Sequence, residues 1–228
     1  MHDTTKLNPM IELLITLVIP SFVLMKLSGP EGLGTLNAFL LALAFPFIWG
    51  AWSLFRERKV NMIAVLGLCS ILLTGGIGVL QLDAQWLAVK EATIPGLIGL
   101  TVVVSVVIDK PLVRALLLSP ALLNVALIEG NLQQRGNTLA FETRLKSATW
   151  MLGGSFLFSS IMNYLLATWI VTSPAGTQAF NEELGQMTLL SYPVIALPSM
   201  LIMMALFYYL AKSLQQLAGL KLTEALKR

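Results

Sequence analysis

The sequence predicts an all-α protein, a polytopic bundle of six transmembrane helices with one further helix in the cytoplasmic interface. Hydrophobic residues make up 56% of the 228 residues and charged residues only 12%, about half the charged fraction of a soluble domain. The mean hydropathy is +0.78, and the apolar runs approach the roughly 20 residues that a spanning helix needs. These observations predict a single integral membrane domain over residues 1–228.

Six apolar runs predict the spans, at about 9–25, 35–55, 62–82, 93–108, 147–171 and 188–211. The fourth run is short for a hydrocarbon core about 30 Å thick. Ser21–Pro30 offers no A-x-A cleavage pattern, so the first run is interpreted as a retained span rather than a signal peptide.

The segment 111–128 is apolar enough to be a seventh span, but it contains Arg114, Ser119-Pro120 and Asn124. Counting it as a span would place the basic residues that follow it outside and reverse the charge bias. We therefore expect a helix lying in the cytoplasmic interface, with Arg114 snorkelling. The spanning alternative stays open.

The distribution of basic residues predicts the orientation. With a cytoplasmic N-terminus, six spans leave thirteen of the fifteen Lys and Arg residues inside and only Lys26 and Lys90 outside. The positive-inside rule therefore favours two cytoplasmic termini. The basic residues lie between the apolar runs rather than in one patch, which argues against a nucleic-acid partner.

Residues for catalysis or metal binding are scarce. The only histidine is His2 and the only cysteine is Cys69, which excludes zinc motifs, Ser-His-Asp triads and an intrachain disulfide. No phosphate-binding glycine motif is present. We expect a protein that is not an enzyme and has no cofactor or metal.

Two polar side chains fall within predicted spans. Glu12 lies in the first turn of span 1, and Asn163 lies well inside span 5. An ionisable residue inside a membrane is a functional hypothesis by default. The alternatives are a hydrated carboxylate favoured by the helix N-terminus for Glu12 and an interhelical hydrogen bond for Asn163.

Small residues predict close helix packing in two spans. In lipid, small side chains let neighbouring backbones approach closely. The same stripes would pack helices within one chain or between two copies, so they are compatible with a homo-oligomer. The residues are Ser70, Thr74, Gly75, Gly76 and Gly78 in span 3, and Gly153 and Gly154 in span 5.

The predicted outer loop 81–92 carries the densest group of charges. Asp83, Trp86, Lys90 and Glu91 lie within nine residues. Charges beside an aromatic ring at headgroup level could bind a lipid headgroup or a partner protein. The alternative is an ordinary solvated turn, with Lys90 beside phosphates and Trp86 in the aromatic belt.

On the inner side, a second set of cations follows spans 2 and 4. These residues are interpreted mainly as topology determinants, which would also attract anionic lipids. They are Arg56, Arg58, Lys59 and Lys110.

Several short blocks together resemble one known family. They are Ser53–Val60, Gly75-Gly76, the Asp83…Lys90…Thr93 loop and Lys110-Pro111-Leu112. Their order and spacing over about 53–117 resemble the bacterial intracellular septation protein A family. The chain departs from the family at Trp86…Lys90-Glu91, where the family has a tryptophan flanked by two lysines. Its loop between spans 4 and 5 is also longer, and span 1 carries an acid, as in a divergent relative.

The resemblance implies a bacterial inner-membrane protein that contributes to envelope integrity and to the division machinery, with no known catalysis. The first functional hypothesis is therefore a non-enzymatic protein acting through membrane lipids or through envelope or division proteins. The second is a small transporter or lipid flippase. Its support is Glu12, Asn163, the glycine breaks, and prolines at 95, 193 and 198.

Overall fold

The computed structural model describes residues 9–57, 62–117 and 123–226, and their regular elements are all helices. The predicted all-α class is confirmed. Two of the elements are five-residue π-helical segments, named π1 and π2 here. In chain order the elements are α1 (Pro9–Leu13), π1 (Leu14–Val18), α2 (Ile19–Leu27), α3 (Thr35–Glu57), α4 (Met62–Val79), α5 (Gln85–Val107), α6 (Leu112–Leu117), α7 (Val125–Gln134), α8 (Thr138–Ile170), α9 (Gln178–Ser191), π2 (Tyr192–Ala196), α10 (Leu197–Ala218) and α11 (Leu222–Ala225).

Five helical segments among the described residues are long and apolar enough to cross a membrane, as expected of a multi-pass membrane protein. One further predicted span corresponds to α4, which has a shorter apolar helix over Val65–Val79. The five long segments are Met10–Leu27, Thr35–Trp52, Gln85–Val107, Thr138–Ile170 and Gln178–Ala218.

Two helices begin well before the predicted spans. α5 begins at Gln85, eight residues before the predicted start, because an Asp83 carboxylate oxygen accepts a hydrogen bond from the Gln85 backbone N–H at 2.8 Å. A side-chain oxygen that satisfies a free N–H stabilises the start of a helix. α8 begins at Thr138 and continues for 33 residues. Residues 85–92 of the predicted outer loop are therefore helical, and the connection between α4 and α5 is shorter than predicted.

The helix predicted over 111–128 is not one continuous helix, and its interfacial location stays a prediction. The described residues contain two helices in this region, α6 and α7. A new helix begins at α7 because the Asn124 side chain accepts a hydrogen bond from the Leu127 N–H at 3.1 Å. Ile128 and Leu132, one turn apart on α7, are 0% and 3% exposed. Protein atoms therefore cover these two side chains of α7.

Both π-helical segments lie just before a proline. Pro20 is the second residue of α2, and Pro198 is the second residue of α10. Proline has no N–H to donate and its ring crowds the carbonyl four residues earlier. A widened turn relieves that crowding, and in π1 the Ile19 N–H donates to the Leu14 carbonyl five residues back. Such segments are frequent at functional sites.

The described chain forms two compact units. Unit 1 contains the residues up to Ala92 together with Met162–Val194, and unit 2 contains Thr93–Ile161 together with the residues from Ile195 onward. The boundaries fall inside helical segments rather than in loops. The single membrane domain predicted over 1–228 stays a prediction.

Helices α2, α3 and α9 pack against one another in unit 1. The Phe39 ring of α3 lies 6.3 Å from the Phe180 ring of α9, measured between centroids. Gly185 lets α9 approach α2 closely, because a Cβ added there would lie 2.9 Å from the Ser21 carbonyl oxygen. The Phe39 ring also fills the space that a Cβ on Gly78 would need.

Unit 2 has an apolar core supplied by α5 to α8 with α10 and α11. Ile128, Leu145 and Leu214 are at most 2% exposed within it. Polar contacts fix the chain around this core. The Asn137 amide donates to the Leu217 carbonyl at 2.9 Å, and the Asn124 N–H donates to the Ala225 carbonyl at 2.8 Å.

Gly153 and Gly154 occupy different environments, which gives a first prediction. A Cβ on Gly153 would lie 2.8 Å from a Val103 methyl, whereas a Cβ on Gly154 would meet nothing within 4 Å. We expect Gly153→Val to lower the free energy of unfolding by about 1–3 kcal/mol through overpacking. Gly154→Val is the matched control and should change it by less than about 0.5 kcal/mol. Thermal unfolding in detergent measures both, and equal effects would contradict the described packing.

Candidate functional site

The candidate site is a buried ion pair between adjacent residues of α5, Lys90 and Glu91. The Lys90 Nζ lies 2.6 Å from a Glu91 carboxylate oxygen, and the two side chains are 8% and 25% exposed. A lysine this deeply buried is rare unless it is paired. The structure therefore places a charged group within a helix that is apolar enough to cross a membrane.

Helix α4 supplies two further acceptors for the Lys90 ammonium. Its Nζ donates to the Thr74 hydroxyl at 2.7 Å and to the Ser70 hydroxyl at 3.2 Å. Ser70 and Thr74 lie four residues apart and so share one face of α4. Together with Glu91 they provide three acceptors, which matches the three N–H donors of an ammonium group.

The Lys90 side chain extends away from the α4–α5 turn. Ser70 lies nine residues before the end of α4 at Val79, about 14 Å along the helix. Lys90 lies five residues after the start of α5, about 8 Å along it. A lysine near the end of a spanning helix usually snorkels toward water. Here the acceptors on α4 hold the ammonium in the opposite direction.

A cavity of about 220 Å³ lies beside this ion pair within unit 1. Besides Lys90 and Glu91, it is lined by side chains from π1, α2, α3, α4 and α9. The polar ones among them all carry hydroxyl groups. The lining residues are Thr16, Pro20, Ser21, Leu24, Ala42, Leu43, Pro46, Ser70, Ile71, Thr74, Leu184 and Thr188.

The hydroxyl groups in the cavity wall differ in how they are satisfied. Thr16 donates to the Glu12 carbonyl and Thr188 to the Leu184 carbonyl, both at 2.8 Å. Ser21 is 0% exposed, and among the described residues its hydroxyl has no hydrogen-bond partner. A buried polar group without a partner is uncommon in proteins. The cavity wall therefore combines a cation and an anion with hydroxyl groups.

The other residues predicted in the outer loop do not join this site. Asp83 caps the start of α5, and Trp86 lies in its first turn with 60% of its surface exposed. The Lys90 ammonium is bonded to Ser70 and Thr74 of α4, a contact that neither interpretation of the outer loop included.

The two polar residues predicted inside spans lie outside the cavity lining. Glu12 is exposed on α1, one turn before Thr16, and Asn163 is half-buried in α8.

The inner cations are described only in part. Lys110 is exposed just after α5, and Arg56 lies in α3. Arg58 and Lys59 lie outside the described residues.

The glycines predicted to pack helices are not equivalent. Added Cβ atoms on Gly75 and Gly78 would meet Leu43 and Phe39, whereas a Cβ on Gly76 would meet nothing within 4 Å.

Sequence reasoning missed two groups of polar contacts in unit 1. Ser21 and Thr188 were not singled out, although both are hydroxyl residues inside apolar runs. Asn181 was also missed. It is 1% exposed, and its amide donates to the Ser28 hydroxyl at 3.0 Å and to the Thr35 carbonyl at 2.9 Å.

Glu183 was missed as well. Its carboxylate accepts hydrogen bonds from the backbone N–H groups of Thr172 and Ser173 at 2.9 and 2.8 Å. A polar loop gives no periodic signal for such contacts.

In the described part of the chain, no three His, Cys, Asp or Glu side chains lie close enough together to hold a metal ion. The site instead offers one ammonium, one carboxylate and several hydroxyls. Comparisons with protein-family models, with curated proteins and with solved structures find no match to this chain.

Proposed function

We propose that this chain is a non-enzymatic multi-pass membrane protein that binds a small charged solute, or the charged headgroup of a lipid, in the cavity at Lys90 and Glu91. The observation that carries the proposal is the ion pair, whose Lys90 and Glu91 side chains are 8% and 25% exposed and which lines a cavity. Ionisable residues inside membrane segments are costly and usually mark ligand or ion pathways.

If Lys90 served only to join α5 to α4 through its hydrogen bonds to Ser70 and Thr74, no cavity would be needed beside it. Here the cavity extends from the pair to π1, α2, α3 and α9, and its wall contains the Ser21 hydroxyl, which has no partner among the described residues. Pro20 and Pro46 also line it. Irregular helices at membrane depth are tolerated where they line a cavity. These features favour ligand binding over a purely structural pair.

The chemistry of the wall indicates the class of ligand. An ammonium beside a carboxylate complements a zwitterion, or a ligand that displaces one partner of the pair. The volume of about 220 Å³ is smaller than the roughly 300–1,000 Å³ of typical drug-sized pockets. The ligand is therefore a small polar molecule or a headgroup rather than a whole lipid.

Native mass spectrometry of the intact protein after gentle detergent extraction tests this proposal. We expect one stoichiometric small ligand or lipid on the wild-type chain. The double variant Lys90→Gln/Glu91→Gln should bind it at least tenfold more weakly, because hydrogen bonds to charged groups contribute about 1.5–3 kcal/mol each. Movement of that ligand across proteoliposomes then separates a transporter or flippase from a protein that only binds.

The matched control is Lys26→Gln/Glu31→Gln, which removes the same two charges at exposed positions of unit 1. It should bind as the wild type does. Equal affinity in the Lys90 and Glu91 variant would contradict the proposal. A co-purifying protein partner with no small ligand would instead favour a scaffold.

We propose that the chain crosses the membrane six times, through the five long segments and through α4. The full α4 length of 18 residues corresponds to about 27 Å, close to the hydrocarbon thickness. An even number of spans keeps both termini on the side that is rich in Lys and Arg, which supports a cytoplasmic location for both.

The bacterial inner membrane and a role in envelope integrity, with lipid, envelope or division partners, remain proposals. Their support is the resemblance over about 53–117. We also propose that the chain can form a homo-oligomer, and the support for this is the small-residue stripes.

A further inference from the structure

A second cavity, of about 420 Å³, lies within unit 2 and is lined by α8 and α10. Its polar lining consists of Arg144, Tyr208, Tyr209, Lys212, Ser213 and Gln216. Two of these side chains are cations and none is a carboxylate. The cavity shares no residue with the Lys90 site, so a ligand bound in it is independent of the function proposed for that site.

Each of the two exposed cations lies over an aromatic ring. The Arg144 guanidinium lies 5.5 Å from the centroid of the Tyr209 ring, and the Lys212 ammonium lies 5.8 Å from that of Tyr208. A cation within about 6 Å of a ring centroid is attracted by the ring face. One Arg144 N–H also donates to the Tyr209 hydroxyl at 3.4 Å, which leaves the remaining N–H donors of Arg144 and those of Lys212 available to an anion.

Among the described cations of unit 2, Arg114 and Lys146 are ion-paired, whereas Arg144 and Lys212, like Lys110, Arg135 and Lys221, are not. Lys146 pairs with Asp109 at 2.5 Å, and Arg114 pairs with Glu142. In the described part of the chain, neither Arg144 nor Lys212 has a carboxylate within 4.0 Å. Two exposed cations that line one cavity and have no carboxylate partner among the described residues are available to an anion from outside the chain.

The position of Lys212 along α10 indicates that the cavity lies at the level of the lipid headgroups. Lys212 lies six residues before the end of α10 at Ala218, about 9 Å along the helix. Tyrosines concentrate at this level because the ring is apolar and the hydroxyl polar. Met151 and Ala205 continue the lining with apolar surface. The arrangement thus offers cations for a headgroup and apolar atoms for the start of an acyl chain.

We infer that Arg144 and Lys212 form a binding site for a phosphate group, carried by an anionic lipid headgroup or by a soluble phosphate compound. The guanidinium fork matches two phosphate oxygens at once, and the ammonium acts as a second point charge. Basic pockets between membrane helices bind anionic headgroups in this way.

The test uses the full-length chain, delipidated in detergent and titrated with phosphatidylglycerol, with phosphatidylcholine and with inorganic phosphate. Native mass spectrometry reports occupancy. We expect phosphatidylglycerol to bind at least fivefold more tightly than phosphatidylcholine. Arg144→Gln/Lys212→Gln should weaken its binding about 30-fold, since each basic residue near an anionic surface contributes about fivefold.

The control is Lys110→Gln/Lys221→Gln, which removes two exposed cations of unit 2 that do not line the cavity. It should change the affinity by less than about threefold if the site is specific. Equal losses in both double variants, or no loss in the Arg144 and Lys212 variant, would overturn the inference.

The titration with inorganic phosphate distinguishes the two sources of the ligand, a lipid headgroup and a soluble phosphate compound. Binding of inorganic phosphate at millimolar concentration, with displacement of the lipid, assigns the site to a soluble phosphate compound. Lipid binding that inorganic phosphate does not displace assigns it to a headgroup. Failure of all three ligands to bind the wild-type chain would overturn the site altogether.

Discussion

Glu91→Leu is expected to lower the free energy of unfolding by about 2–4 kcal/mol, because it leaves the Lys90 ammonium buried without its counter-ion. Breaking a buried ion pair by removing one partner typically costs about 3–5 kcal/mol. The expected value is lower because the Glu91 side chain is 25% exposed and partly screened. Reversible unfolding in mixed micelles, followed by tryptophan fluorescence, measures the change.

The double variant Lys90→Met/Glu91→Leu separates stability from function. Replacing both members of a buried ion pair by apolar residues is often neutral, so the double variant should unfold within about 1 kcal/mol of the wild type. It should nevertheless lose the ligand of the Lys90 cavity. Glu31→Leu, at an exposed position, is the control and should change stability by less than about 0.5 kcal/mol. If Glu91→Leu were as mild as Glu31→Leu, the pair would not be buried as described.

Asn181→Ala is expected to lower the free energy of unfolding by about 2–3 kcal/mol. The Asn181 amide joins α9 to the Ser28 hydroxyl and to the Thr35 carbonyl, and the side chain is almost fully buried. Removing one partner from a buried hydrogen bond costs more than the bond itself contributes, since the other partner is left without its donor. The same unfolding measurement applies.

Two further variants make the Asn181 prediction sharper. Asn181→Asp keeps the shape of the side chain but removes its donors, so it should destabilise at least as much as alanine. Asn37 is exposed, and its amide donates to the Leu33 carbonyl of its own turn at 3.0 Å. Asn37→Ala should therefore cost less than about 1 kcal/mol. An Asn181→Asp variant as stable as the wild type would rule out the donor role of the amide.

Part of the candidate site could be predicted from the sequence. The four-residue spacing of Ser70 and Thr74 predicts that they share one helix face. Lys90 and Glu91 could be singled out because they are charged. The contact between Lys90 and the two hydroxyl groups of α4 was not predictable, because hydropathy assigns Lys90 to a loop. Since Asp83 caps α5 at Gln85, Lys90 and Glu91 lie within the helix, and the Lys90 ammonium reaches α4.

The burial of Asn181 could not be predicted from the sequence either. Its neighbours are polar, so the sequence around it is typical of a loop before a span. Only the approach of α9 to α2, allowed by Gly185, buries the amide against Ser28. A local pattern cannot report a contact between residues separated by 153 positions in the chain.

The sequence alone determined that this is an all-helical protein with long membrane-compatible segments, because hydropathy and charge are properties of each segment by itself. Tertiary structure decided where the charges go. Among the described residues it bonded the Lys90 ammonium to α4, left the Ser21 hydroxyl without a partner in a cavity wall, and placed Arg144 and Lys212 over tyrosine rings rather than beside carboxylates. The physical reason is that a polar group can be buried only where another helix brings complementary atoms to it.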